Sequence, residues 1–182
     1  MKKFFSLIIF ALFFLAMPNS SQAEIDFNYQ VHIQNIGWTG PVYNGGIAGT
    51  TGQSLRMEAF VIHLTNDYEG MVEYCAHVQN IGWMDWKETG EVAGTTNQSL
   101  RLEAVRIKLI GRYAGKYDIY YRAHVQDGGW LGWAKNGEPA GTEGAGLRME
   151  ALQIQLVPKG KHFNRGGPAF YQNGNDRHHR YI

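Results

Sequence analysis

A chain of 182 residues with 44% hydrophobic and 18% charged side chains is long enough for one sizeable core and too apolar to be disordered. Its formal charge of +1 carries none of the basic excess that a nucleic-acid partner demands. The single cysteine, Cys75, excludes an intramolecular disulfide, so it reads as a small space-filling residue on a strand.

Lys2 and Lys3 precede an apolar run from Phe4 to Ala16, and Ser21-Gln22-Ala23 places small residues at the cleavage positions. This is the pattern of a signal peptide over residues 1–23, too short to span a bilayer. Removing it takes two lysines and no acid, so the formal charge falls from +1 to −1. The expectation is a secreted, extracellular chain, free or wall-associated, with no membrane insertion after cleavage.

Three copies of one unit follow, beginning Tyr29-Gln-Val-His-Ile-Gln-Asn-Ile-Gly-Trp38, Tyr74-Cys-Ala-His-Val-Gln-Asn-Ile-Gly-Trp83 and Tyr121-Arg-Ala-His-Val-Gln-Asp-Gly-Gly-Trp130. Each continues to Ala-Gly-Thr, from Ala48, Ala93 and Ala140, and then to Leu-Arg-Met/Leu-Glu-Ala, from Leu55, Leu100 and Leu147. The copies cover about 27–66, 72–112 and 119–157, within a β domain at 24–156. Period-two alternation puts Tyr29, Tyr74 and Tyr121 inward on a first long strand, with the histidines outward. A short hairpin turning at Gly45, Gly90 and Gly137 comes next, and helix is the poorer reading throughout.

The last long strand changes phase at Ala59, Ala104 and Ala151. A bulge that re-aims it is favoured over a buried, paired Arg and Glu. Three such copies are expected to close an all-β domain about a pseudo-three-fold axis, as a β-trefoil or, alternatively, a β-prism.

The segments His-Val-Gln-Asn-Ile-Gly-Trp, from His77, and Glu-Val-Ala-Gly-Thr-Thr-Asn-Gln-Ser-Leu-Arg-Leu-Glu-Ala, from Glu91, resemble the clostridial hydrophobic repeat with a conserved tryptophan, the ChW repeat. The resemblance spans Tyr29 to Leu156. It implies a secreted or surface protein of a Gram-positive bacterium, with roles in polysaccharide binding or adhesion.

A sugar ring packs its C–H groups on an indole face while nearby polar groups hold its hydroxyls. Trp38, Trp83 and Trp130, with Trp86 and Trp133 three residues on, supply such faces. His32, His77 and His124 and Gln34, Gln79 and Gln126 supply polar groups beside them. The first tryptophan of each copy reads equally as a core plug. The second is the better ligand candidate, since Pro41 replaces it in the first copy, which is therefore expected to bind weakly.

Three equivalent histidines could converge on a metal ion, but outward side chains with no carboxylate partner argue against it, and no metal or cofactor is expected. Arg56, Arg101 and Arg148 are expected to pair with Glu58, Glu103 and Glu150. Every candidate catalytic group recurs three times, whereas catalysis needs one asymmetric constellation, so the chain reads as a non-catalytic binding module. The expected partner is an extracellular polysaccharide or cell-wall polymer, with a surface protein as the alternative. The tail, 157–182, has five Lys or Arg against Asp176 alone, and it reads as a basic, mobile segment.

Overall fold

The computed structural model describes residues 26–65 and 72–172; the expected signal peptide and the last part of the tail, 173–182, lie outside them. The first copy forms β1 (Asp26–Ile33), β2 (Gly37–Trp38), β3 (Val42–Tyr43), β4 (Ile47–Gly49) and β5 (Met57–Thr65). The second forms β6 (Val72–Val78), β7 (Gly82–Trp83), β8 (Lys87–Glu88), β9 (Ala93–Gly94) and β10 (Leu102–Leu109). A short helix, α1 (Gly111–Lys116), precedes the third copy, β11 (Tyr117–Val125), β12 (Gly129–Trp130), β13 (Ala134–Lys135), β14 (Ala140–Glu143) and β15 (Met149–Pro158). That helix was not expected, and it sits in the connection that is two residues longer than its counterpart. The described chain is all-β apart from α1, and no described helix is long and apolar enough to cross a membrane.

Within each copy the two long strands pair antiparallel, β1 with β5, β6 with β10 and β11 with β15. Alternation buries Tyr29, Val31 and Ile33 and their counterparts as one apolar core with Phe60, Leu102 and Met149. The register slips once per copy. Ile33 faces Met57 and His32 faces Ala59, leaving Glu58 unopposed; Glu103 and Glu150 are left the same way. The bulge reading is therefore realised together with part of its alternative, because the bulged residue is the glutamate, which is buried and paired with a half-buried arginine.

The expected short hairpin is corrected. β8 pairs with β6 of its own copy, but β9 pairs with β5 of the first copy, so the strands flanking Gly90 belong to different sheets. β14 likewise joins β10, and β4 joins β15, so the exchange runs through all three copies and returns to its start. Gly45, Gly90 and Gly137, at φ of 80°, 82° and 93°, redirect the chain. Their N–H groups donate to the carbonyls of Ile154, Ile62 and Ile107 in the neighbouring copy. Gly94 then lies against the bulge: a Cβ there would stand 2.5 Å from the Glu58 carbonyl oxygen.

Each inward tyrosine joins the same two copies. The Tyr29 hydroxyl accepts from the Ile154 N–H at 2.9 Å and donates to the Gly46 carbonyl; the Tyr74 hydroxyl accepts from Ile62 at 3.2 Å and donates to Glu91. Tyr121 donates to Glu138 and hydrogen-bonds the Ile107 backbone. Burial pushes the Tyr29 and Tyr74 hydroxyls up to about 12, and that of Tyr121 in the same direction.

Residues 159–172, the described part of the tail, pack on the third copy and end in β16 (Phe170–Gln172), parallel to β14.

Tyr74→Phe leaves the Ile62 N–H and the Glu91 carbonyl without their partner, so chemical denaturation should show a loss of about 1–3 kcal/mol. The fold favours the neutral hydroxyls, so their contribution is complete below the ordinary value of 10.0 and is lost as pH rises through about 12. Circular dichroism and phenolate absorbance recorded together should therefore change together in that window; early phenolate signal from all tyrosines without unfolding would contradict it.

Candidate functional site

After β1 the Ile36 N–H donates to the Ile33 carbonyl at 3.1 Å, closing a turn with Asn35 at φ 64°. Gly37 then returns the chain along β1, so Trp38 pairs with His32 across the strands. Asn80 and Asp127 make the same left-handed turn, and they set Trp83 opposite His77 and Trp130 opposite His124. The His and Trp rings meet edge-on at 5.4, 5.3 and 5.4 Å.

The bulge supplies what lies beneath. Nδ1 of His32, His77 and His124 stands 3.2 Å from Oε2 of Glu58, Glu103 and Glu150, close enough for an ion pair but not aligned as a hydrogen bond. Oε1 of each glutamate takes Arg56, Arg101 or Arg148 at 2.7–2.8 Å. Each glutamate is 5% exposed, and a carboxylate at that depth is tolerable because a guanidinium neutralises it. The histidines are thus not the outward, carboxylate-free groups expected from alternation. His77 is itself buried, and each belongs to a Trp-His-Glu-Arg series repeated three times.

Strand exchange brings polar loops over these series. A cleft of about 390 Å³ is lined by His32, Gln34, Ile36, Arg56 and Glu58 with Asn97 and Ser99 of the next copy. One of about 490 Å³ is lined by His77, Asn80, Arg101 and Glu103 with Glu143 and Gly146 of the third copy. Each cleft straddles a boundary between copies. Glu143 accepts from the Trp83 indole Nε1 at 3.3 Å and lies 4.0 Å from His77 Nε2. Sequence reading gave no role to Asn97, Ser99 or Glu143, which lie in the segments before Leu100 and Leu147 and reach the clefts only through the strand exchange.

None of the five tryptophans is a core plug. Trp38 is 41% exposed and Trp86 40%, while Trp83, Trp130 and Trp133 are half-buried. Arg106 stands 4.2 Å from the Trp83 ring and Arg122 4.7 Å from that of Trp130. These arginines come from opposite strands of the matching pairs Cys75–Arg106 and Arg122–Gln153. The first copy has Gln30 and Val61 there, so its indole has no equivalent cation.

Lys108 lies 4.3 Å from the Trp86 ring, and Trp133 is covered by Arg122 and by the edge of Phe163. Trp133 is therefore not the open ligand candidate expected. Gln79 and Gln126 are half-buried, and their N–H groups donate to the Arg101 and Arg148 carbonyls.

Among the described residues no group of three His, Cys, Asp or Glu side chains is placed to hold a metal ion. Cys75 is buried, and burial pushes its thiol up to about 11, so it stays protonated.

Glu103→Gln removes the charge that holds both Arg101 and His77, and should lower stability by about 1–3 kcal/mol. Thermal unfolding checks this, and an unchanged midpoint would show that the buried carboxylate has no stabilising role.

No curated protein and no solved structure is significantly similar to the chain. The family model described as clostridial hydrophobic W matches residues 32–66, 77–111 and 124–158. Each match begins at the histidine of the Trp-His-Glu-Arg series and runs through the tryptophan and the bulged glutamate to the end of the second long strand, so the chain belongs to the clostridial hydrophobic W family.

Proposed function

We propose that this protein is a secreted, non-catalytic binding module for extracellular polysaccharide or cell-wall glycan. The observation that carries the reading is the Trp-His-Glu-Arg series set beside an open polar cleft, with the Trp38 indole 41% exposed. An indole offers a sugar its apolar face, and arginine, glutamate, glutamine and asparagine beside it match the hydroxyls. The first copy, expected from Pro41 to bind weakly, becomes the leading platform in this reading, with Trp86 second.

Secretion rests on the basic and apolar leader, and a Gram-positive source rests on the family. The three sheets, each taking one strand from the next copy, favour closure about a pseudo-three-fold axis in the manner of a β-prism over a β-trefoil.

Exposed Ile36, Tyr43, Ile47, Ile81 and Val92 favour a second reading, in which a surface protein docks on the same edges. Binding lost after protease treatment of the target and kept after glycan removal would select it.

Pull-down on insoluble polysaccharides tests the main reading. Trp38→Ala should weaken binding about ten-fold, equivalent to about 1.4 kcal/mol. Trp86→Ala should weaken it less, and Trp133→Ala should leave it unchanged. No binding by the parent, or full binding by both the Trp38 and Trp86 variants, would defeat the proposal.

A further inference from the structure

The third copy differs from the others in what lies over it. Past Pro158 the chain turns at Gly160 and runs back across the sheet as a strap. Phe163 stacks on Tyr120 at 4.1 Å and meets Trp133 edge-on at 5.1 Å. Arg165 Nε donates to the Trp133 carbonyl at 2.9 Å, and its guanidinium pairs with Glu138. The N–H groups of Trp133, Gly132 and Gly141 donate to the carbonyls of Arg165, Pro168 and Ala169 at 2.8, 2.9 and 2.9 Å. Beyond them β16 extends parallel to β14.

The receiving surface is particular to this copy. A Cβ on Gly132 would stand 1.7 Å from the Gly167 carbonyl oxygen, so only glycine admits the strap. The second copy has Asp85 there, which bars it. The first has Gly40, but its Pro41 replaces Trp133 and has no N–H to donate. Glu73 and Asn28 stand where the third copy has Tyr120.

No residue from 159 to 172 is fully buried: Ala169 and Tyr171 pack partly buried against the core, and residues 161–168 are held by ring, charge and backbone contacts at the surface. Such segments open locally at less cost than the core.

We infer that this face of the third copy is a peptide-recognition site, filled in cis by the chain's own segment 161–172. Its ligand class is an extended peptide with an aromatic side chain followed two residues later by arginine, running parallel to β14. The ring between Tyr120 and Trp133 and the guanidinium on Glu138 select side chains, while the three N–H groups and the β14 edge hold any extended backbone. The site is independent of polysaccharide binding, so either can fail alone.

The test uses the full chain carrying Phe163→Ala and Arg165→Ala, which removes the strap's two side-chain anchors so that a competing peptide can displace it, and a labelled synthetic peptide of residues 159–172. The double variant should bind one peptide per chain at least ten-fold more tightly than the parent, whose site is occupied. A peptide with both replacements should not bind, and adding Gly132→Asp to the double variant should abolish uptake. A double variant that keeps the parent circular dichroism yet takes up no peptide, or takes up both peptides equally, overturns the inference. Loss of the parent spectrum in the double variant also overturns it, since the strap would then be part of the core.

Discussion

The hydroxyl of each inward tyrosine bridges two copies of the repeat, accepting from a long strand of one copy and donating to the turn of its own. Tyr29, Tyr74 and Tyr121 do this around the whole molecule. The same turns send β4, β9 and β14 into the neighbouring sheets. No copy can complete its sheet alone, and none buries its tyrosine without the strand that the hydroxyl meets. Apolar burial drives the collapse, but these hydroxyls and the Gly45, Gly90 and Gly137 N–H groups fix which copies touch.

The exchange also decides where the clefts lie. Gly49, Gly94 and Gly141 bring the short strands against the bulges, and with them come the loops carrying Ser99 and Glu143. The bulge turns Glu58, Glu103 and Glu150 inward beneath histidine and arginine, at the boundary that those loops cover. Core packing and site geometry therefore share one irregularity, and a regular strand would have sent the glutamates to solvent.

On this common frame the copies have diverged. An arginine covers the first tryptophan in the second and third copies, and the first copy lacks it. Gly132 admits the strap to the third copy, and Asp85 excludes it from the second. The first tryptophan is thus most open at Trp38 and arginine-capped at Trp83 and Trp130, while the second is covered by the strap at Trp133.

The amino-acid sequence by itself determined the number of copies, the long strands, the inward tyrosines and the turns at Gly45, Gly90 and Gly137. These depend on period-two patterning and left-handed backbone, which neighbouring residues set. It located the phase break but not its content, because burial of the glutamates depends on arginines reaching them in the folded sheet. Pairing of β4, β9 and β14 with another copy, the exposure of Trp38, the covering of Trp133 and the docking of residues 159–172 were decided only by the tertiary structure. A short strand carries no local mark of its partner; the partner is whichever edge and core surface the whole chain brings within reach.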